Sequence, residues 1–307
     1  MRTGEAGMNA TGAVPRLGTA PPSAPSAPSA PSAPSAPSPA WTPADLAAPP
    51  GPHAAADKQE RVRRMFAAIA GSYDLNNRLH SFGLDQRWRR FTVRQAGLTG
   101  GESVLDCACG TGDLSRLFAA ELDRLEKRTG KKGRVTGLDY TQEMLDVARE
   151  KRHKAAEGTL RDIEYVRGDA QALPFADGSF DAVSIAFGIR NVQDPARAAR
   201  EFHRVLKPGG RLLVLEFDRP RNALIRWGND FYTRRIMPRT ATLISGDRSG
   251  AYTYLPRSVE TFLNADAMRS MLLNAGFAEA DYTPLTLGVC VCHRAVRAER
   301  STVRREA

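Results

Sequence analysis

The sequence predicts an α/β fold, a mostly parallel sheet with helices on both faces. Three observations carry that expectation. Strand-length apolar runs alternate with amphipathic helical runs from about residue 60 onward. The strand runs are almost continuously apolar, as strands covered on both faces must be. Three of them end at or just before an acid, Asp106, Asp139 and Asp169.

The first run, over 103–108, enters Cys107-Ala108-Cys109-Gly110-Thr111-Gly112, a turn in which Gly110 and Gly112 remove side chains where backbone must touch a ligand. Asp113 is read as the cap of the helix that follows. The second run, 134–139, precedes a helix over 142–153 with Met144, Leu145, Val147 and Ala148 at helical spacing behind Thr141 as its cap. A third run covers 163–167 and a fourth 180–187. The helix over 195–206 is stopped by Lys207-Pro208-Gly209-Gly210, and the fifth run covers 211–217. A closing pair at 278–285 and 288–296 completes a seven-stranded sheet. Ligands of such sheets sit outside the carboxyl ends of the strands, where the three acids stand.

The glycine spacing selects the ligand class. A dinucleotide fingerprint starting at Gly110 needs Gly or Ala at position 115, and the chain has Ser115. An adenosyl group fits instead. Asp139 can accept from both ribose hydroxyls, Asp169 from an adenine amino group, and Ala170 offers a backbone amide to the ring. Each acid alone is an ordinary strand-end turn; three in this order point to a cofactor site.

Composition divides the chain. Residues 1–56 are read as a tail, because the Ser-Ala-Pro repeat over 22–37 carries too little apolar surface to offset ordering entropy. Residues 57–297 form the globular domain, and 298–307 a basic tail. Neither a secretory signal nor an apolar run of membrane-spanning length is present, so the expectation is a cytoplasmic chain whose membrane contacts are peripheral. The four cysteines form two C-x-C pairs, Cys107/Cys109 and Cys290/Cys292, each read as one face of a strand and as buried thiols. Zinc sites use wider spacings and the histidines are scattered, so no metal is expected.

Beyond these local signals, 61–294 resembles the class I S-adenosylmethionine-dependent methyltransferases, and within them the UbiE/MenG-type ubiquinone/menaquinone C-methyltransferases. The resemblance is carried by the run from Phe66 to Asn77, by Ser81-Phe82-Gly83 and Trp88-Arg89-Arg90, and by Leu173-Pro174-Phe175. It continues in Ala186-Phe187-Gly188-Ile189-Arg190-Asn191-Val192, Leu206-Lys207-Pro208-Gly209-Gly210, Leu215-Glu216-Phe217, and Tyr252-Thr253-Tyr254-Leu255 with Ser258. It implies a Rossmann-like seven-stranded fold with S-adenosylmethionine as cofactor. The implied reaction is methyl transfer to a ring carbon of a prenylated hydroquinone, without a metal. By position, Thr111, Asp139, Asp169 and Ala170 match the family's cofactor contacts, with Asp106, Gly110 and Gly112 in the adjoining strand end and turn. Ala186 stands where some members use a serine. The cofactor turn and Gly137-Leu138-Asp139 are closer to menaquinone-type members, which makes demethylmenaquinol the expected substrate and a ubiquinone precursor the alternative.

Catalysis is less legible. Glu216 and Asp218 follow the fifth strand and Arg190-Asn191 the fourth, so a carboxylate base, Glu216 foremost, with Arg190 and Asn191 positioning the quinol oxygens, is one reading. A structural brace between Glu216 and Arg190 is the other. Within a lid-like insertion at about 219–262, Leu224, Ile225, Trp227, Phe231, Tyr232, Ile236 and Met237 mix with Arg226, Arg234, Arg235 and Arg239. Together with a net charge of +10, this suggests a surface resting on anionic lipid, against the alternative of a cap over the sheet. An RNA methyltransferase is disfavoured, since no aromatic-basic interleaving is visible, so no nucleic-acid partner is expected. Methylation of another phenol, and assembly as a homo-oligomer, stay open.

Overall fold

The computed structural model describes residues 40–47, 51–154, 163–240 and 250–299. Five strands run parallel: β1 (Ser103–Cys107), β2 (Arg134–Asp139), β3 (Ile163–Arg167), β4 (Phe180–Ala186) and β5 (Leu206–Phe217). β6 (Glu279–Leu285) and β7 (Cys290–Val296) close the sheet, β7 lying antiparallel to both β5 and β6. The order β3-β2-β1-β4-β5-β7-β6 makes the space between β1 and β4 the topological switch point, and a ligand crevice opens there at the strand ends.

The helices are α1 (Pro43–Ala47), α2 (Lys58–Ile69), α3 (Tyr73–His80), α4 (Leu84–Gln95), α5 (Asp113–Thr129), α6 (Gln142–Lys154), α7 (Pro195–Val205), α8 (Ala223–Phe231), α9 (Ala251–Glu260) and α10 (Ala265–Asn274). Successive strand residues feed two cores, as pleating requires. Leu105, Cys107, Val183, Ile185, Leu212 and Val214 pack against Phe202 of α7 and Met268 and Leu272 of α10. Val104, Val135, Ala182 and Leu213 pack against Val93 of α4, Phe118 and Leu122 of α5, and Leu145 of α6.

Four expectations need correction. Lys207-Pro208-Gly209-Gly210 does not separate helix from strand; it is a bulge inside β5, where the register jumps from Phe180↔Leu206 to Ala182↔Arg211. The cap of α5 is Gly112, at φ 81°, and Asp113 is the first helical residue, its carboxylate taken by Lys151 at 2.5 Å. Cys107 and Cys109 lie in different cores, because Ala108 at φ 50° breaks the strand alternation between them; Cys290 and Cys292 do share one cluster. All four thiols are free and buried.

The fourth correction concerns the tail. Residues 40–47 belong to the folded body: Trp41 is 2% exposed and stacks on Tyr254 at 4.9 Å, while Thr42 Oγ1 donates to Asp45 Oδ2 at 2.7 Å. Trp41 and Leu46 supply the large apolar surface that the Ser-Ala-Pro repeat lacks. With Val62, Met65 and Ile69 of α2, Met144 of α6, and Tyr252 and Tyr254 of α9, they form a cluster beside the crevice. The repeat at 22–37 and residues 300–307 of the basic tail lie outside the described residues. Among the described residues, no helix is long and apolar enough to cross a membrane.

Candidate active site

The turn after β1 uses its glycines for two purposes. At Gly110 (φ 56°) an added Cβ would meet nothing nearer than Tyr73 Cε1 at 4.0 Å, and the residue lines a cavity at the strand ends. This is the exposed backbone that an adenosyl ligand needs. At Gly112 a Cβ would lie 2.3 Å from Tyr165 Oη and 3.3 Å from Ala148 Cβ, so this glycine makes room for the protein's own core. It does not line the cavity.

The three acids separate in the same way. Asp139 closes β2 and lines the cavity; its Oδ2 accepts from Gly110 N and its Oδ1 from Thr141 N, both at 2.8 Å. These amides fix the carboxylate while burial pushes its pKa up. Asp169 also lines the cavity, accepting from Gln171 N at 2.9 Å and from Gln59 Nε2 of α2 at 2.8 Å. Asp106 stands apart. It is 1% exposed and accepts from Ser115 Oγ at 2.6 Å and Ser184 Oγ at 2.7 Å, and burial pushes its pKa up to about 6. It fastens β1 to α5 and β4, below the cavity.

The Thr111 hydroxyl is engaged within the protein. It donates to Asp74 Oδ1 at 2.5 Å, and Lys151 joins Asp74 (2.7 Å) to Asp113 (2.5 Å), which latches α3 onto α5 and α6. Of the sequence-derived cofactor residues, the structure brings Gly110, Asp139, Asp169, Ala170 and Ala186 together around one cavity, and leaves Asp106, Thr111 and Gly112 outside it. Ala186 contributes only backbone and a methyl group to the wall.

A second, larger cavity adjoins the first, and Phe66, Tyr73 and Phe187 line both. Trp88, Phe217, Tyr252, Tyr254, Leu255 and Met237 are among the residues of its apolar wall. Phe187 sits at φ 57°, held by its N–H donating to Leu215 O at 2.7 Å. Gly188 follows because a Cβ there would lie 2.6 Å from Ala108 Cβ. The Phe-Gly pair therefore sets an aromatic ring at the junction of the two cavities.

Of the two readings of Glu216, its surroundings fit the brace. It is 3% exposed, pairs with Arg190 Nη1, accepts from Phe217 N at 2.8 Å, and lines neither cavity. This is the geometry of a brace for Arg190, which itself reaches the second cavity. Asn191 lines the first cavity, where Tyr254 Oη donates to its Oδ1 at 2.9 Å.

Sequence reasoning did not single out Gln59, Asp85 or the role of Tyr254, and it quoted Arg89 only within a motif. A signal was available for α4: Asp85, Arg89 and Thr92 recur at helical spacing on its buried face, a charged pair where apolar residues belong.

The sequence profile of the ubiE/COQ5 methyltransferase family matches residues 54–297. The "Ubiquinone/menaquinone biosynthesis C-methyltransferase UbiE" of Teredinibacter turnerae is 41% identical over 244 residues, covering 80% of this chain and 94% of that protein. The protein of the same name from Escherichia coli O1:K1 / APEC is 40% identical over 237 residues, 77% of this chain and 90% of its own. Among solved structures, a Haloferax volcanii methyltransferase in complex with the Trm112 methyltransferase activator aligns with TM-score 0.51 at 18% identity, over 76% of this chain and 98% of its own. A Thermotoga maritima S-adenosylmethionine-dependent methyltransferase, described as a possible histamine N-methyltransferase, aligns with TM-score 0.50 at 20% identity, over 77% and 99%. At these identities the two structures speak to the fold alone, the seven-stranded class I methyltransferase fold expected from the sequence.

Proposed function

This chain belongs to the ubiE/COQ5 methyltransferase family, and we propose that it methylates a ring carbon of a prenylated hydroquinone, with demethylmenaquinol as the substrate. The cofactor is S-adenosylmethionine, which supplies the methyl group as an electrophilic sulfonium. The observation that carries the proposal is the pair of adjoining cavities: one backed by Asp139 and Asp169, the other larger and walled by aromatic rings, with Phe66, Tyr73 and Phe187 common to both. An aromatic acceptor in the second cavity would thereby adjoin the first.

Asp139 would take the ribose hydroxyls, because its carboxylate is held at the end of β2 by two amides that leave lone pairs free. Asp169 would take the adenine amino group beside the Ala170 amide, and Gly110 would let the cofactor chain approach the backbone. α2 covers the site through Gln59, whose amide reaches Asp169, and through Phe66. Water exclusion matters because methyl transfer needs only an in-line nucleophile and no competing one. Arg190, braced by Glu216, borders the hydroquinone, and Asn191, held by Tyr254, keeps the junction ordered.

A prenylated acceptor resides in a bilayer, and α8 offers a surface suited to reach it. Leu224, Trp227 and Phe231 are 75%, 68% and 53% exposed, and Phe82, at 77%, packs beside Tyr232 at the end of the same helix. Arg221, Arg226, Arg234 and Arg235 stand in the same segment. We assign this face to peripheral contact with anionic lipid.

The test is methyl transfer from labelled S-adenosylmethionine to chemically reduced demethylmenaquinone, with the oxidised quinone, a reduced ubiquinone precursor and bulk RNA as parallel acceptors. Label in the menaquinol from the reduced acceptor supports the proposal. Greater transfer to the ubiquinone precursor moves the assignment to that pathway, and label in RNA or in no acceptor refutes it.

A further inference from the structure

The second cavity holds a buried charged pair that the cofactor site does not use. Asp85 and Arg89 stand one turn apart on α4, 4% and 7% exposed, and both line the aromatic cavity. Arg89 Cζ lies 5.3 Å from the ring of Phe187, the residue shared with the cofactor cavity, so its charge sits at the junction. Its Nε is buried without a hydrogen-bond partner, the nearest carboxylate oxygen being Asp85 Oδ2 at 3.7 Å.

Most other charged groups of this cavity are paired: Arg190 with Glu216 through Nη1, Asp230 with Arg219, and Glu260 with Arg234 and Arg257. Arg190 Nε and His80 Nε2 are likewise buried without a partner, but Arg190 has its counter-ion in contact and His80 is tied through Nδ1 to Tyr232 of the insertion. Asp218 accepts from Arg219 N and Ala265 N. Asp85 receives Ser81 Oγ at 3.0 Å and Gln86 Nε2 at 2.9 Å, which orient its carboxylate without neutralising it. A buried guanidinium with an unmet donor, one turn from an oriented carboxylate, is an arrangement for an acceptor that gives up a proton and becomes an anion.

We propose that Asp85 is the general base of the reaction and that Arg89 holds the resulting hydroquinone oxyanion; this rests on the functional reading above. The hydroquinone O–H bond breaks and its proton passes to Asp85. The electron pair left on oxygen, facing Arg89, feeds into the ring, and the ring carbon forms a bond to the sulfonium methyl group as the carbon–sulfur pair stays on sulfur. The methylated ring carbon then releases its hydrogen as a proton to solvent, which restores the aromatic ring, while the ring oxygen regains a proton from Asp85. The balance is one methyl group transferred and one proton released, with no oxidant or reductant consumed.

The experiment combines kinetics with spectroscopy, under anaerobic conditions, on the full chain. With reduced short-chain demethylmenaquinone, Asp85→Asn lowers kcat at pH 7 by about a hundredfold or more. Its log kcat then climbs by about one for each pH unit as hydroxide replaces the lost base, and S-adenosylmethionine binding is unchanged. In a complex with S-adenosylhomocysteine, the hydroquinone bound to the unmodified chain shows the absorption of its anion at a pH where the free hydroquinone is neutral, and Arg89→Met abolishes that band. Asp85→Glu and Arg89→Lys, which keep both charges, restore part of each signal and answer the case in which a neutral variant does not fold. An Asp85→Asn enzyme with the wild-type rate and pH profile, or an anion band unaffected by Arg89→Met, overturns the assignment. Absence of hydroquinone methylation by the unmodified chain overturns the functional reading, and this assignment with it.

Discussion

The Gly112–Tyr165 contact permits a double-mutant cycle whose sign can be worked out in advance. Tyr165 is 7% exposed and its hydroxyl has no hydrogen-bond partner, so the buried oxygen costs about 1–3 kcal/mol of desolvation. Tyr165→Phe removes that cost and should stabilise the domain by about 1–2 kcal/mol, a rise in Tm of about 2–8 °C for a domain of this size. Gly112→Ala acts oppositely. At φ 81° a side chain costs about 1–2 kcal/mol of backbone strain, and a Cβ 2.3 Å from Tyr165 Oη adds about 1–3 kcal/mol of overpacking. In the double variant the nearest atoms are the phenylalanine Cζ at 3.1 Å and Ala148 Cβ at 3.3 Å, so most of the overpacking disappears and the strain remains. Urea unfolding with equal m values should therefore give a coupling of about 1–2 kcal/mol between the two sites. Isothermal titration should find S-adenosylmethionine binding retained in the double variant and weakened in Gly110→Ala. A destabilising Tyr165→Phe, or strictly additive effects, would refute the claim that Gly112 serves Tyr165.

Asp106 should leave a signature in stability against pH. Its folded pKa, raised to about 6 from 3.8, means that the favourable contribution is complete below pH 3.8 and is lost as pH rises through about 6. Asp106→Asn should flatten the stability profile between those values by about 3 kcal/mol, measured by denaturant midpoints across pH; an unchanged profile contradicts the burial argument. Glu216→Gln should destabilise by about 3–5 kcal/mol, because it strands the buried Arg190 charge, whereas Glu216→Leu combined with Arg190→Met should cost less; thermal melts that rank the two the other way remove the brace. Replacing Trp227 and Phe231 together by Ser should reduce flotation with anionic liposomes by more than tenfold and leave turnover on a short-chain, water-soluble hydroquinone unaltered. Equal flotation of variant and parent would return α8 to the role of a cap over the sheet.

Why the structure sets Asp139 at the crevice and Asp106 beneath it follows from strand register. Both acids end apolar runs and look alike in one dimension. In the sheet, Asp106 stands opposite Gly137 on one side and Ser184 on the other, whereas Asp139 lies two residues further along, at the crevice rim. Two residues of register, about 7 Å, separate a carboxylate that can meet a ligand from one sealed beneath it. Register is a property of the paired strands, so the apolar pattern that revealed every strand could not reveal which acid reaches the surface. The glycines pose the same problem: Gly110 and Gly112 share a motif and a positive φ, and only the position of Tyr165, on β3, distinguishes them.

The acceptor side was hidden for a different reason. The cofactor residues follow strand ends in chain order, so alternation alone placed them near one another. The second cavity is assembled from α2, α3, α4, the end of β5, and the segment containing α8 and α9, whose adjacency no local pattern encodes. Buried charge offers partial access. A globular helix that places Asp85 and Arg89 beside Trp88 and Thr92 on its inward face incurs a desolvation cost that an apolar pair would avoid, and this cost is tolerated where the charges meet a ligand or each other. At 3.7 Å the two meet only loosely, which leaves the ligand as the partner that gives the pair its chemical use. The same reasoning separates them from Arg190 and Glu216, equally buried and equally charged, whose close contact satisfies the charge within the protein. Buried charge marks both pairs as significant; the distance between the partners indicates which one is built for the substrate.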